Sequence, residues 1–173
     1  MFFKKAQVSY ADFLIGLLIL IVITFIFTIT IIDLNSREDK IQELINDGSS
    51  ISNSFMSPAY NKDKWNQNPP KGRLGFVKDG KLIKEDFDTF LNLLNSQEGY
   101  KKSKILLGAK KDYVLYFEYG NDKIRYNNIE VFGKYDDVKK INADNLLRIN
   151  RIVYYDLDGG GKGNIVKMVV LVF

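Results

Sequence analysis

The chain of 173 residues has no cysteine and no histidine, only three prolines and a single tryptophan. Without cysteine there are no disulfides, iron–sulfur ligands or thiol nucleophiles, and the redox compartment is left open. Without histidine the commonest zinc ligand and the usual neutral-pH general base are missing. Most hydrolase and metalloenzyme mechanisms are poorly served by what remains, so no enzyme activity and no cofactor is expected. A long block of one charge is also missing: 25 Lys and Arg stand against 21 Asp and Glu, interspersed through the polar part of the chain. That pattern does not point to nucleic acid as a partner.

What is present is unevenly distributed. Mean hydropathy is slightly negative, yet Phe13 to Ile32 contains 16 Leu, Ile, Val or Phe in 20 residues, the others being Gly16, Thr24, Thr28 and Thr30. At about 1.5 Å per residue such a helix is about 30 Å long, the thickness of a bilayer's hydrocarbon core. Its apolar residues supply on the order of −5 to −10 kcal/mol for insertion. Lys4 and Lys5 precede the run, and Asp33, Arg37, Glu38, Asp39 and Lys40 follow it with mixed sign. The positive-inside bias therefore predicts a single-pass protein in the lipid bilayer, with a cytoplasmic N-terminus and an extracellular C-terminal domain. A cleaved secretory signal would have a shorter apolar core and a small-residue cleavage site, and Asp33-Leu34-Asn35-Ser36 does not provide one.

The helix is expected to continue as a stalk, since Leu34, Ile41, Leu44, Ile45, Ile51 and Phe55 share one face. Gly48-Ser49-Ser50 is the expected break or kink, and Ser57-Pro58 the stop. An ordered loop pinned by Tyr60 and Trp65 follows. Leu74 to Val77 and Leu82-Ile83 then suggest a hairpin about Lys78-Asp79-Gly80. Helices are expected at Glu85 to Leu94, with carboxylates near its start, and at Tyr100 to Leu107, stopped by Gly108. Strands follow at Tyr113 to Phe117, at Ile124 to Phe132 with a bulge at Asn127-Asn128, at Leu147 to Tyr155 and at Ile165 to Phe173. The last is apolar on both faces apart from Lys167, which predicts a central position. The fold class is α+β: a long N-terminal transmembrane and stalk helix (7–56) after a basic leader (1–6), then a small antiparallel-sheet domain with short helices (57–173).

Several chemical motifs are weak. Asp156-x-Asp158-Gly159 has the opening of a calcium loop but continues with Gly, Lys and Asn instead of a series ending in Glu. Gly159 to Gly163 lacks the spacing of a phosphate loop. Glu85, Asp86, Asp88, Asp136 and Asp137 are expected on solvated helix and loop surface. The strand tyrosines are expected to be packing residues, so no catalytic, cofactor-binding or metal site is assigned.

The most specific stretch is Lys4-Lys5-Ala6-Gln7-Val8-Ser9-Tyr10-Ala11-Asp12-Phe13-Leu14, set directly against the apolar run. It resembles the class III signal of archaeal type IV pilin-like proteins, in which a basic leader is cut on the cytoplasmic side by a prepilin-type peptidase. The resemblance implies that Lys4 and Lys5 form the leader, that cleavage falls between Ala6 and Gln7, and that Ser9 is the third mature residue. The family's acidic residue is usually the fifth mature one, which is Ala11 here; Asp12 stands one place later. The implied partners are the peptidase, like pilin subunits, and a membrane assembly platform with a cytoplasmic ATPase. The implied function is a pilin-like or minor pilin-like subunit of a cell-surface filament or secretion-type pseudopilus, with adhesion as one use. The alternative is a monomeric membrane-tethered extracellular domain that binds a ligand through the loop around Trp65 or the 156–164 connection.

Overall fold

The computed structural model describes residues 3–120, 122–156 and 163–173, and for 3–9 the backbone alone. Helix α1 covers Phe3–Phe55, 53 residues, and the chain divides into two compact units, 1–42 and 43–173. The expected break at Gly48-Ser49-Ser50 does not occur, because these residues are helical throughout. Gly48 serves contact instead: a Cβ there would stand 2.6 Å from Leu147 Cδ2 and 2.8 Å from Ile149 Cδ1. The glycine lets the helix approach a strand closely, at a propensity cost of about 1 kcal/mol.

Beyond Phe55 the chain makes a loop in which Trp65 is buried and its indole N–H donates to the Tyr60 carbonyl at 3.3 Å. Trp65 pins this loop; the Tyr60 side chain, 60% exposed, does not. The hairpin forms later than expected, from β1 (Val77–Lys78) and β2 (Lys81–Leu82). Asp79 and Gly80 both take positive φ, 51° and 74°, the twist a two-residue hairpin turn needs. Leu74 to Phe76 are buried without strand pairing; Phe76 N–H reaches the Phe55 carbonyl and Val77 N–H that of Ser57.

Helices α2 (Lys84–Leu94) and α3 (Gln97–Leu107) follow. Phe87, Phe90 and Leu93 are the buried positions of α2, while Leu91 and Leu94, which also stand at helical spacing from Phe87 and Phe90, are only partly buried. Ser96 caps α3 by accepting the Gly99 N–H at 3.0 Å, which starts the helix three residues earlier than expected. Gly108 ends it with φ 64°, and the Ala109 N–H turns back to the Lys104 carbonyl.

Strands β3 (Tyr113–Tyr119), β4 (Asp122–Ile124), β5 (Phe132–Gly133), β6 (Leu147–Tyr155) and β7 (Asn164–Val172) complete one sheet, ordered β1-β2-β6-β7-β3-β4 with β5 also on β3. The sheet is mixed, not purely antiparallel, because β2 meets β6 in parallel at Lys81 and Tyr154. Between β2 and β6 the chain runs through α2, α3 and β3 to β5, the long connection that a parallel pair requires. The expected long strand from Ile124 does not form. Asn127 and Asn128, at φ 50° and 66°, make a tight turn closed by Tyr126 and Ile129, not a bulge. β7 lies between β6 and β3 with every residue from Asn164 to Val172 paired to β6, as its two apolar faces predict.

The main core lies between the sheet and the helical side. Phe55, the last residue of α1, packs its ring against Phe76 (4.9 Å), Phe90 (5.5 Å) and Tyr113 (5.8 Å). A second, smaller core occupies part of the opposite sheet face, where Tyr135, Val138, Ile141 and Phe173 cover Val114, Tyr116, Val169 and Leu171.

Candidate functional site

Lys4, Lys5, Ala6, Gln7 and Ser9 belong to the helical backbone of α1, and their side chains lie outside the described part of the structure. Asp12 is helical and exposed. The apolar run that follows is fully presented: Phe13, Leu18, Phe25, Phe27 and Ile32 are all exposed, and an 18-residue window reaches a mean hydropathy of 3.0. By length and composition this helix is able to cross a membrane. Thr24, Thr28 and Thr30 donate their hydroxyls to the carbonyls of Leu20, Thr24 and Ile26 at 2.8–2.9 Å. Each hydroxyl is thereby satisfied within its own helix, which apolar surroundings require.

The end of α1 is fixed in the second unit by polar contacts. Asp47, buried, accepts the backbone N–H groups of Lys110 and Lys111 on Oδ2 at 2.7 and 2.6 Å. Glu43, one turn earlier, meets both lysine ammoniums, and the bond from Lys111 above all holds its carboxyl below the usual range. Ser50 donates to the Leu107 carbonyl, while Arg151 donates to Ser52 Oγ and Asn53 Oδ1. None of these partners was foreseeable from local spacing.

The carboxylates considered as possible paired acids do not converge. Asp86 pairs with Lys62 at 2.8 Å, Asp136 with Lys140 at 2.5 Å, and Asp137 accepts the Lys139 N–H. Asp88 accepts the Tyr126 hydroxyl, and burial, then that carboxylate, pushes the Tyr126 phenol up. Glu85 is exposed. Among the described residues no three acidic side chains gather as a metal site. Asp158 and residues 159–162 lie outside the described residues, so the calcium-loop reading has no structural counterpart here.

Trp65 is buried, so the loop around it offers no indole surface to a ligand. Tyr113, Tyr116 and Tyr155 are buried as packing residues, whereas Tyr119 is exposed. A cleft of about 490 Å³ that sequence reasoning missed lies where α2 ends beside the segment 129–136, lined by Leu91, Leu94, Ile129, Val131, Phe132 and Tyr135. Leu91 and Leu94 have helical spacing that reads as core, and nothing local marks the facing segment as their neighbour.

The fold is thus an α+β domain with a seven-stranded mixed sheet, preceded by one long apolar helix. No protein-family model matches the chain, and no curated protein or solved structure matches it.

Proposed function

We propose that the chain is a type IV pilin-like or minor pilin-like subunit, processed between Ala6 and Gln7, that assembles through its N-terminal hydrophobic helix. The observation that carries this reading is the helix itself. It is continuous from Phe3, through the leader motif and the apolar run, and every described residue from Tyr10 to Gln42 is exposed. Contiguous apolar surface of this extent needs lipid or protein around it. A leader cut at Ala6 would leave the apolar helix on the mature chain as both anchor and assembly element. In this reading the N-terminus is cytoplasmic and the sheet domain extracellular. The partners are a prepilin-type peptidase, like subunits, and a membrane platform driven by a cytoplasmic ATPase.

The deciding experiment is intact mass and N-terminal sequencing of the protein recovered from its native membrane. A first residue of Gln7 is expected, followed by filament-like oligomers. A first residue of Met1 or Phe2, with the peptidase shown to be active, would overturn the reading. The cleft beside α2 favours one second reading, a tethered extracellular binding domain, since its volume is in the small-ligand range.

A further inference from the structure

Strand pairing determines which side chains share the sheet face opposite the main core. The register places Lys78 beside Lys81, Lys81 beside Tyr154, and Tyr154 beside Ile165. One row further, Ile152 lies beside Lys167, Lys167 beside Glu118, and Glu118 beside Lys123. Arg148 lies on the same side, opposite Leu171. This face therefore gathers five cations and one carboxylate, and Arg148 pairs with that carboxylate, Glu118, at 2.8 Å. The four lysines are exposed, and among the described residues none has a carboxylate within 4 Å. Between them Ile152 and Ile165 stand 70% and 69% exposed, diagonal neighbours across β6 and β7. Tyr135, Val138, Ile141 and Phe173 cover the other half of the face, and among the described residues none packs over Ile152 or Ile165.

We propose that this bare half of the sheet face docks on an anionic lipid bilayer, with the lysines at the headgroup phosphates and the two isoleucines at the acyl boundary. Charge complementarity gives the sign of the partner, and composition gives its class. Protein interfaces draw on Arg and aromatic anchors and are depleted in Lys, whereas lipid-surface contacts combine Lys with exposed aliphatic side chains. Single-stranded nucleic acid needs free aromatic platforms, and here the aromatic faces are taken. Tyr116 is buried with the Lys123 ammonium 5.1 Å from its ring centre. Tyr154 has Lys81 over its ring and donates no open face on the side where Gly163 lies, a Cβ there falling 2.6 Å from Tyr154 Cζ. Asp136 and Asp137 belong to the covering segment, where Lys140 and the Lys139 N–H engage them.

The chain has no native cysteine, so a fluorophore at Ile165→Cys, which also restores apolar bulk, reports on this face alone. Full-length protein is reconstituted in vesicles of phosphatidylcholine, with or without phosphatidylglycerol, that carry a lipid-attached quencher. Quenching at 165 is expected only with the anionic lipid, and about 0.5 M salt should abolish it. Each of K81E and K167E should weaken the effect about fivefold or more, with Trp65 emission unchanged as a check on folding. A label at Ile105→Cys, on exposed α3 surface, should stay unquenched. Equal quenching in both lipids, or quenching at 105 as strong as at 165, would overturn the proposal. Shielding of the label by soluble polyaspartate but not by anionic vesicles would overturn it in favour of an acidic macromolecule.

Discussion

Asp47 on α1 and Lys111, 64 residues later, meet through a hydrogen bond of 2.6 Å from the Lys111 backbone N–H to Asp47 Oδ2, which also accepts from Lys110. One buried carboxylate thus closes the turn that leads from α3 into β3. Asp47→Ala should lower stability by about 2–4 kcal/mol, since two charge-assisted bonds are lost and two N–H groups are left without an acceptor. Asp47→Asn, which keeps an acceptor oxygen, should cost less. Urea unfolding of the full-length protein in detergent, followed by Trp65 emission, checks both values.

Gly48 tests the contact between the end of α1 and β6. Gly48→Val should destabilise by about 1–3 kcal/mol, because the added methyls overlap Leu147 and Ile149. Leu147→Ala should relieve part of that cost in a double-mutant cycle, the obstructing atoms being the far end of a flexible side chain. Independent, additive effects would show that the close approach is not what selects glycine here.

Acid should unfold the domain partly through Asp112. Burial raises its carboxyl pKa, but the bonds from Lys104 and Tyr100 and the nearby Lys134 ammonium outweigh it and leave the group below its ordinary value. A depressed folded-state pKa means that the contribution is complete above the unfolded carboxylate value, about 4, and is lost as pH falls through the lower folded one. Asp112→Asn should therefore flatten the decline of stability below about pH 4 while lowering stability at neutral pH. Parallel acid denaturation curves for the two proteins would refute this.

Deleting Val166 to Phe173 should unfold the second unit, since β7 is the strand between β6 and β3 and supplies Val166, Met168, Val170 and Val172 to the main core. Limited proteolysis is the measurement: a protected fragment of domain size after the deletion would contradict the central role of the strand.

The features carried by short-range pattern were readable from the residues alone. The apolar run shows in composition, the Gly108 stop in glycine's access to positive φ, and the end of β6 in the run Ile152-Val153-Tyr154-Tyr155. Local pattern misled where one residue type answers two demands. Gly48 looks like a helix break and is a contact glycine, while Asn127-Asn128 looks like a bulge and is a turn. Leu93 and Leu94 both fit a helical stripe within the tolerance of spacing, and only the neighbouring core decided which is buried.

The sequence by itself determined that one long apolar helix precedes an α+β domain, because helical and strand periods and hydrophobic runs act over a few residues. The tertiary structure alone decided the parallel seat of β2 on β6, the capture of Lys110 and Lys111 by Asp47, and the lysine-rich, half-bare sheet face. The reason is separation along the chain: these partners are tens of residues apart, and their meeting depends on the joint packing of all the elements between them.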